Sequence, residues 1–313
     1  MKGLPFVVAL GLVAACATAR APTPAPAPAA AVEPATRGNL AADFDAGVDS
    51  ILAPAGGTVG FAARDLGSGR SLGRNERQPF PMQSVFKLPI AIAVLHDVDA
   101  GKLDLDRVVS LGAEDARAGV AGAMAVPAQR TVGELLEAMI IRSDNTACDK
   151  LLALLGGPGV VDGRLRALGV DGITIRFSEK EMGAGLGDNS ATPAAMVVLL
   201  EKIARQEVGL SPASARRLED LLFRVGTGPG RLRGALPPGT PVAHKTGTSR
   251  TQDGTTDATN DVGLISLPNG HRVAIAVFVH ASPADEATRE QVIARIARAA
   301  YDALIAPAPP AHP

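Results

Sequence analysis

Ser84 and Lys87 stand three residues apart in the stretch PMQSVFKLPIAIAVL, with the lysine at the entry of an apolar run. A serine hydroxyl is a weak nucleophile until a base takes its proton. Burial of an ammonium is costly and draws a lysine toward neutrality, the state in which it can serve as that base. Positions three apart share one helix face, so the two side chains meet if a helix begins near Ser84. Serine is a natural start signal, and Leu88, Ile90, Ala91, Ala93, Val94 and Leu95 form the apolar body such a helix needs. By itself the spacing more often marks an N-cap serine followed by a lysine that snorkels to water. Two more stretches bear on the choice: Ser143-Asp144-Asn145 and Lys245-Thr246-Gly247-Thr248. Each alone is ordinary, the first as turn chemistry and the second as a strand end.

The elements beneath these residues follow from periodicity and punctuation. Helical spacing covers 39–53, and 57–75 reads as two short strands around a Gly-Ser turn. A helix is expected over 84–100, then two more over 131–143 and 146–156, so that Ser143 to Asn145 fall in the bend between them. Helices over 191–206 and 211–225 each open on Thr or Ser with Pro just inside. Strands follow over 241–249, 259–268 and 271–281, the last two joined by the hairpin signal Asn269-Gly270, and a helix over 285–305 closes the series. Strands at both ends with helices between them predict an α/β fold of the α+β type: an antiparallel sheet flanked by helices, with an inserted all-helical lobe and the site in the cleft between.

Of 313 residues, 46% are hydrophobic and 20% charged, with a formal net charge of -1, which fits a globular body and implies no nucleic-acid partner. Aromatics are only 3%, with no Trp, so stacking platforms for bases or sugars are scarce. Residues 1–19 read as an export signal, and two exits compete there. Ala17-Thr18-Ala19 offers an ordinary cleavage site. Val13-Ala14-Ala15-Cys16 resembles a bacterial lipobox, and this route is preferred because it accounts for a cysteine directly after an apolar segment. The expected product is exported and periplasmic, with lipidation of Cys16 attaching it to a membrane. Residues 20–38 form a Pro/Ala-rich tether, 39–305 the catalytic domain and 306–313 a loose tail. Cys148, among apolar and small residues, reads as a buried structural thiol.

Together, Ser84-x-x-Lys87, Ser143-Asp144-Asn145 and Lys245-Thr246-Gly247, in this order and on these elements, resemble the penicillin-recognising serine enzymes. The resemblance spans nearly the whole mature chain. RLRGALPPGTPVAHKTGT and NDVGLISLPNGHRVAIAVFV are similar to the C-terminal sheet of class A β-lactamases, and SVFKLPIAIAVLHDVDAGKLDL to their nucleophile helix. SDNTACDK, with EKEM at 179–182, is similar to a subgroup that includes cephalosporin-directed and extended-spectrum enzymes.

The resemblance implies a β-lactam as substrate, no metal or other cofactor, and a monomer. It makes Ser84 the nucleophile, with Lys87 or a Glu179-activated water as acylation base. Oxyanion donors are expected at the backbone N–H groups of Ser84 and Thr248, and the leaving nitrogen would take its proton from Ser143. Asn145 would hold the substrate's side-chain amide, while Lys245, Thr246, Gly247, Thr248 and an arginine surround its carboxylate. Arg231 has the matching spacing from Lys245; Arg233 and Arg250 are the alternatives. Glu179 is the expected deacylating base, with Glu181 close enough to compete. Three positions depart from the common pattern: Gly183 and Asn189 replace an asparagine and an aspartate, and Arg176 lies one residue farther from Glu179. No aromatic gate is found in EDARAGVAGAM.

A D-alanyl-D-alanine peptidase or other penicillin-binding protein would share Ser84, Lys87, the Ser143 to Asn145 bend and Lys245, with Glu179 as the discriminating residue, and a β-lactam-sensing or cell-wall-binding lipoprotein would need binding or acylation alone. A Ser-His-Asp hydrolase is disfavoured because the G-x-S-x-G match, Gly69 to Gly73, falls in the first hairpin. Neither His96 nor His280 is placed to act. Zinc hydrolysis has no ligand spacing to support it.

Overall fold

The computed structural model describes Met1, residues 47–119 and residues 124–305. The export signal, Cys16, the tether and the 306–313 tail lie outside the described residues, as does part of the expected 39–53 helix, of which 47–52 is helical (α1).

Five strands form the body of the main sheet: β1 (Thr58–Asp65), β2 (Ser71–Arg74), β8 (Val242–Thr248), β10 (Thr255–Ser266) and β11 (Arg272–Ser282), in the order β2-β1-β11-β10-β8. All neighbours are antiparallel, and the short β9 (Thr251–Gln252) pairs with β10. The first hairpin thus joins the three late strands, as expected from the sequence. Strand β11 shows why both faces are covered. Val273, Ile275, Val277 and Val279 enter one core, with the last helix, α9 (Glu286–Ile305), while Ala274, Ala276 and Phe278 enter the other. Side chains alternate faces along a strand, so this continuous apolar run makes a sheet buried on both sides.

The second core holds the inserted lobe around α2 (Lys87–Asp99), where every residue from Lys87 to Leu95 is buried. Around it lie α3 (Val132–Ile141), α4 (Asn145–Leu154), α5 (Pro158–Ala167) and α8 (Pro212–Phe223), while α7 (Pro193–Ala204) packs on β1, β10 and β11 of the sheet. Helix α5 and the short α6 (Glu179–Gly183) were not legible in the sequence. The first contains two glycines, which weaken its helical signal, and the second is a single capped turn. Three two-residue strands, β3 (Phe80–Pro81), β6 (Ile173–Thr174) and β7 (Ser190–Ala191), tie the segment entering α2 to the loop that carries α6. A further ladder pairs β4 (Val108–Leu111) with β5 (Ala128–Thr131).

Where the expected helix start differs, the difference concerns the candidate nucleophile. Ser84 is not an N-cap: it lies inside a 3-10 turn, Gln83–Phe86, and α2 begins only at Lys87. The turn has no side-chain cap, so the Ser84 hydroxyl is not consumed in holding the helix. Strand β8 presses directly against this turn. A Cβ on Gly247 would lie 2.4 Å from the Met82 carbonyl oxygen and 3.1 Å from the Val85 nitrogen, so glycine there permits the approach. Asn260 Nδ2 fastens the same segment by donating to the carbonyls of Pro81 (2.8 Å) and Met82 (3.1 Å).

Candidate active site

Lys87 is fully buried, and five oxygens crowd its ammonium. Nζ donates to Ser84 Oγ at 3.0 Å, to the Ser143 carbonyl at 2.7 Å and to Asn145 Oδ1 at 2.5 Å, with Ser143 Oγ at 3.5 Å. Glu179 Oε1 lies 2.9 Å away as an ion pair, without hydrogen-bond alignment. The lysine therefore does not snorkel. Its burial is compensated by a carboxylate and by neutral acceptors, as a desolvated cation requires.

The bend between α3 and α4 is shaped to supply two of those acceptors. Ser143 has φ +57°, a left-handed conformation that costs a non-glycine residue roughly 1–2 kcal/mol. In that conformation its carbonyl meets Lys87 while its hydroxyl accepts from Lys245 Nζ at 2.9 Å. Asp144 fixes the bend by capping α4, its Oδ1 accepting from the Ala147 N–H at 2.7 Å. Asn145 Nδ2 donates to the Ala118 carbonyl at 2.8 Å and keeps a second N–H available beside the cleft.

Lys245 is also fully buried and, among the described residues, bonds only neutral oxygens, Ser143 Oγ and the Thr246 carbonyl, both at 2.9 Å. Burial, and after it the Lys87 ammonium, push Lys245 well below the ordinary lysine range. Among the three arginine candidates, Arg231 alone lines the cleft. Its Nη2 donates to Thr248 Oγ1 at 2.8 Å, while Nη1 binds the Gly247 and Asn260 carbonyls and Nε binds Glu290 Oε1 at 2.9 Å. Arg231 thus stands behind Thr248 as a buried positive charge. Arg233 spends its donors on the carbonyls of Phe223, Val225 and Val242, away from the cleft.

Glu179 and Glu181 are separated by local structure. Ser178 caps α6, and Glu181 completes the capping box: its Oε2 accepts from the Ser178 N–H and hydroxyl, both at 2.8 Å. Glu181 is thereby turned back onto the chain, whereas Glu179 lines the cleft. The signal was present as Ser-x-x-Glu in SEKE, a capping-box pattern. Asp149 on α4, which sequence reasoning overlooked, anchors the turn from below. Its oxygens accept from the Glu179 N–H at 2.7 Å and the Lys180 N–H at 3.1 Å, and from Arg117 Nε at 2.7 Å.

Asn189, in place of the common aspartate, organises the same loop through its amide. Oδ1 accepts from the N–H groups of Arg176 (2.8 Å) and Phe177 (3.0 Å), and Nδ2 donates to the Phe177 carbonyl (2.8 Å). The Asn189 backbone carbonyl accepts from the Met82 N–H at 2.8 Å, linking the loop to the nucleophile segment. Asn189→Ala is expected to cost about 1–3 kcal/mol by leaving these groups unpaired. Thermal unfolding should show a lowered Tm, and stopped-flow kinetics a larger slowing of deacylation than of acylation.

These side chains open on one cleft of about 330 Å³, lined by Ser84, Ser143, Asn145, Glu179, Arg231, Thr246, Gly247 and Thr248, with Gln83, Thr227, Gly228, Pro229, Glu286 and Glu290 around them. None of the lining residues is aromatic. Cys148 is buried in α4, and burial pushes its thiol well above the ordinary value. His96 and His280 bond the Val208 and Asp257 carbonyls and do not line the cleft. Among the described residues no group of His, Cys, Asp and Glu is arranged to hold a metal ion.

The family model described as "Beta-lactamase enzyme family" matches residues 43–304. The extended-spectrum β-lactamase PER-1 of Pseudomonas aeruginosa is 38% identical over 266 residues, covering 81% of this chain and 85% of its own length. The β-lactamase VEB-1 of the same organism is 34% identical, covering 82% and 88%. Among solved structures, a β-lactamase from Chitinophaga pinensis aligns at TM-score 0.78 with 40% identity over 84% of this chain and 99% of its own. The TLA-3 extended-spectrum β-lactamase aligns at 0.80 with 33% identity over 85% and 100%. By sequence and by fold, the chain belongs to the β-lactamase enzyme family and is a class A serine β-lactamase.

Proposed function

We propose that this chain hydrolyses β-lactam antibiotics through an acyl ester on Ser84, which water activated by Glu179 then clears. The observation that carries the reading is the contact of one ammonium, Lys87 Nζ, with both Ser84 Oγ at 3.0 Å and Glu179 Oε1 at 2.9 Å. Attack forms the bond from Ser84 Oγ to the lactam carbonyl carbon, and the serine proton leaves to Lys87 once its ammonium has passed a proton to Glu179, 2.9 Å away, or through water to Glu179. The N–H groups of Ser84 and Thr248 receive the oxyanion, and the close packing of β8 on the nucleophile turn favours their convergence. As the C–N bond breaks, Ser143 Oγ gives its proton to the lactam nitrogen and is resupplied from Lys245, 2.9 Å away. Lys245 and Thr248, with Arg231 behind, receive the substrate carboxylate.

Glu179 separates this reading from a penicillin-binding protein or a sensor. Without a carboxylate beside the ester no base would activate water, and the adduct would persist. The test follows turnover and intact mass with one penicillin and one cephalosporin. The parent should turn both over rapidly, and Ser84→Ala should show no covalent adduct. A parent that stays fully acylated for hours with both drugs would overturn hydrolysis in favour of the peptidase or sensor.

A further inference from the structure

His244 and Asp261 form a fully buried pair that has no part in the chemistry above. They lie on neighbouring strands, on the α9 side of the sheet, and His244 Nδ1 is 2.9 Å from both Asp261 oxygens. Asp261 Oδ2 also accepts from the Leu232 N–H at 3.2 Å. His244 Nε2 is buried with no partner among the described residues. Among the described residues those contacts favour one arrangement. With its proton on Nδ1 the neutral ring satisfies Asp261 and leaves only a lone pair on Nε2, whereas an imidazolium would bury a second N–H with nothing to accept it. The pair therefore carries the charge of one carboxylate.

Matching the buried cations with their anions leaves Lys245 and Arg289 without a carboxylate at ion-pair distance among the described residues. Lys87 from α2 has Glu179 from α6 at 2.9 Å. Arg231, from the segment before β8, has Glu290 of α9 at 2.9 Å and Glu286 at 3.9 Å, and Arg289 of α9 turns to Thr259 Oγ1. Lys245 has no carboxylate at ion-pair distance among the described residues, and Asp261 has no lysine or arginine. Their positions adjoin: Val262 is the register partner of Lys245, and Asp261 precedes it on β10.

We propose that Asp261, held in place by neutral His244, is the counter-charge of Lys245, and is thus a positioning residue for the reaction acting through the sheet. Of the influences that oppose the lowering of the Lys245 pKa, Asp261 is the largest, ahead of Glu179. The inference rests on the reading that Lys245 meets the substrate carboxylate as an ammonium.

The test is kcat/KM for a penicillin against pH. Removing the anion makes the ammonium lose its proton at lower pH, so Asp261→Asn should move the alkaline limb down by about one pH unit, with the loss mainly in KM. His244→Gln, whose amide can donate to the retained carboxylate, should leave the limb in place; a merely structural pair would show no such contrast. If Asp261→Asn does not fold, the double variant H244N/D261N, whose amides can bond each other, should show the same shift. A folded variant with an unmoved limb overturns the inference and leaves the proposed function standing, whereas a Lys245→Ala enzyme with unaltered KM would sink the reading of Lys245 as the partner of the substrate carboxylate. In the parent, nitrogen NMR should find His244 neutral with its proton on Nδ1 at neutral pH. An imidazolium there would cancel the anion and overturn the proposal without any variant.

Discussion

Glu179→Gln is expected to acylate and then stall. Glutamine keeps the shape of the side chain but cannot accept a proton from water, so the ester on Ser84 loses the base that clears it. General-base removal of this kind costs about 10²–10⁴-fold, here in deacylation. Acylation survives, because Lys87 remains 3.0 Å from Ser84 Oγ and in its neutral form can receive the serine proton. Intact mass should show one drug molecule per chain persisting through the experiment, with a burst of product equal to enzyme and a slow steady state. Equal slowing of the burst and of the steady state would place Glu179 in acylation as well.

Lys87→Met is expected to fail one step earlier. The substitution retains a straight apolar stem and removes the donor shared by Ser84, Ser143, Asn145 and Glu179. Acylation should fall by about 10²–10⁴-fold, with no accumulating adduct, the reverse of the glutamine variant. Stability should fall too, since removing one partner of a buried ion pair costs about 3–5 kcal/mol. Chemical denaturation and pre-steady-state mixing with a chromogenic cephalosporin measure the two losses separately. Rapid adduct formation in a folded Lys87→Met enzyme would remove Lys87 from the acylation step.

Glu179 and Lys87 thus act on successive steps, and the loop that delivers Glu179 is held by residues of quite different visibility in sequence. Asn189 was noted as a departure from the common aspartate, and its three loop hydrogen bonds show how an amide holds the loop there. Asp149 gave no signal of its own in SDNTACDK, because a helix-borne aspartate is ordinary until the turn above it is known.

The sequence by itself determined the fold class and singled out Ser84, Lys87 and Lys245 as candidate site residues. The continuous apolar run along 273–279 suits a strand buried on both faces, and serine, lysine and Ser-Asp-Asn spacings are local patterns that survive any packing. Even the choice between Glu179 and Glu181 was written locally, as a capping box. Only the tertiary structure decided that Ser84 lies in a 3-10 turn instead of capping a helix, because β8 and Asn260 hold that segment from 160 or more positions away. Only it placed Arg231 behind Thr248 with Glu290 as partner, and paired His244 with Asp261 at the back of the Lys245 strand. Charge compensation inside a low-dielectric interior depends on distances between strands and lobes, and no periodicity along a chain encodes those.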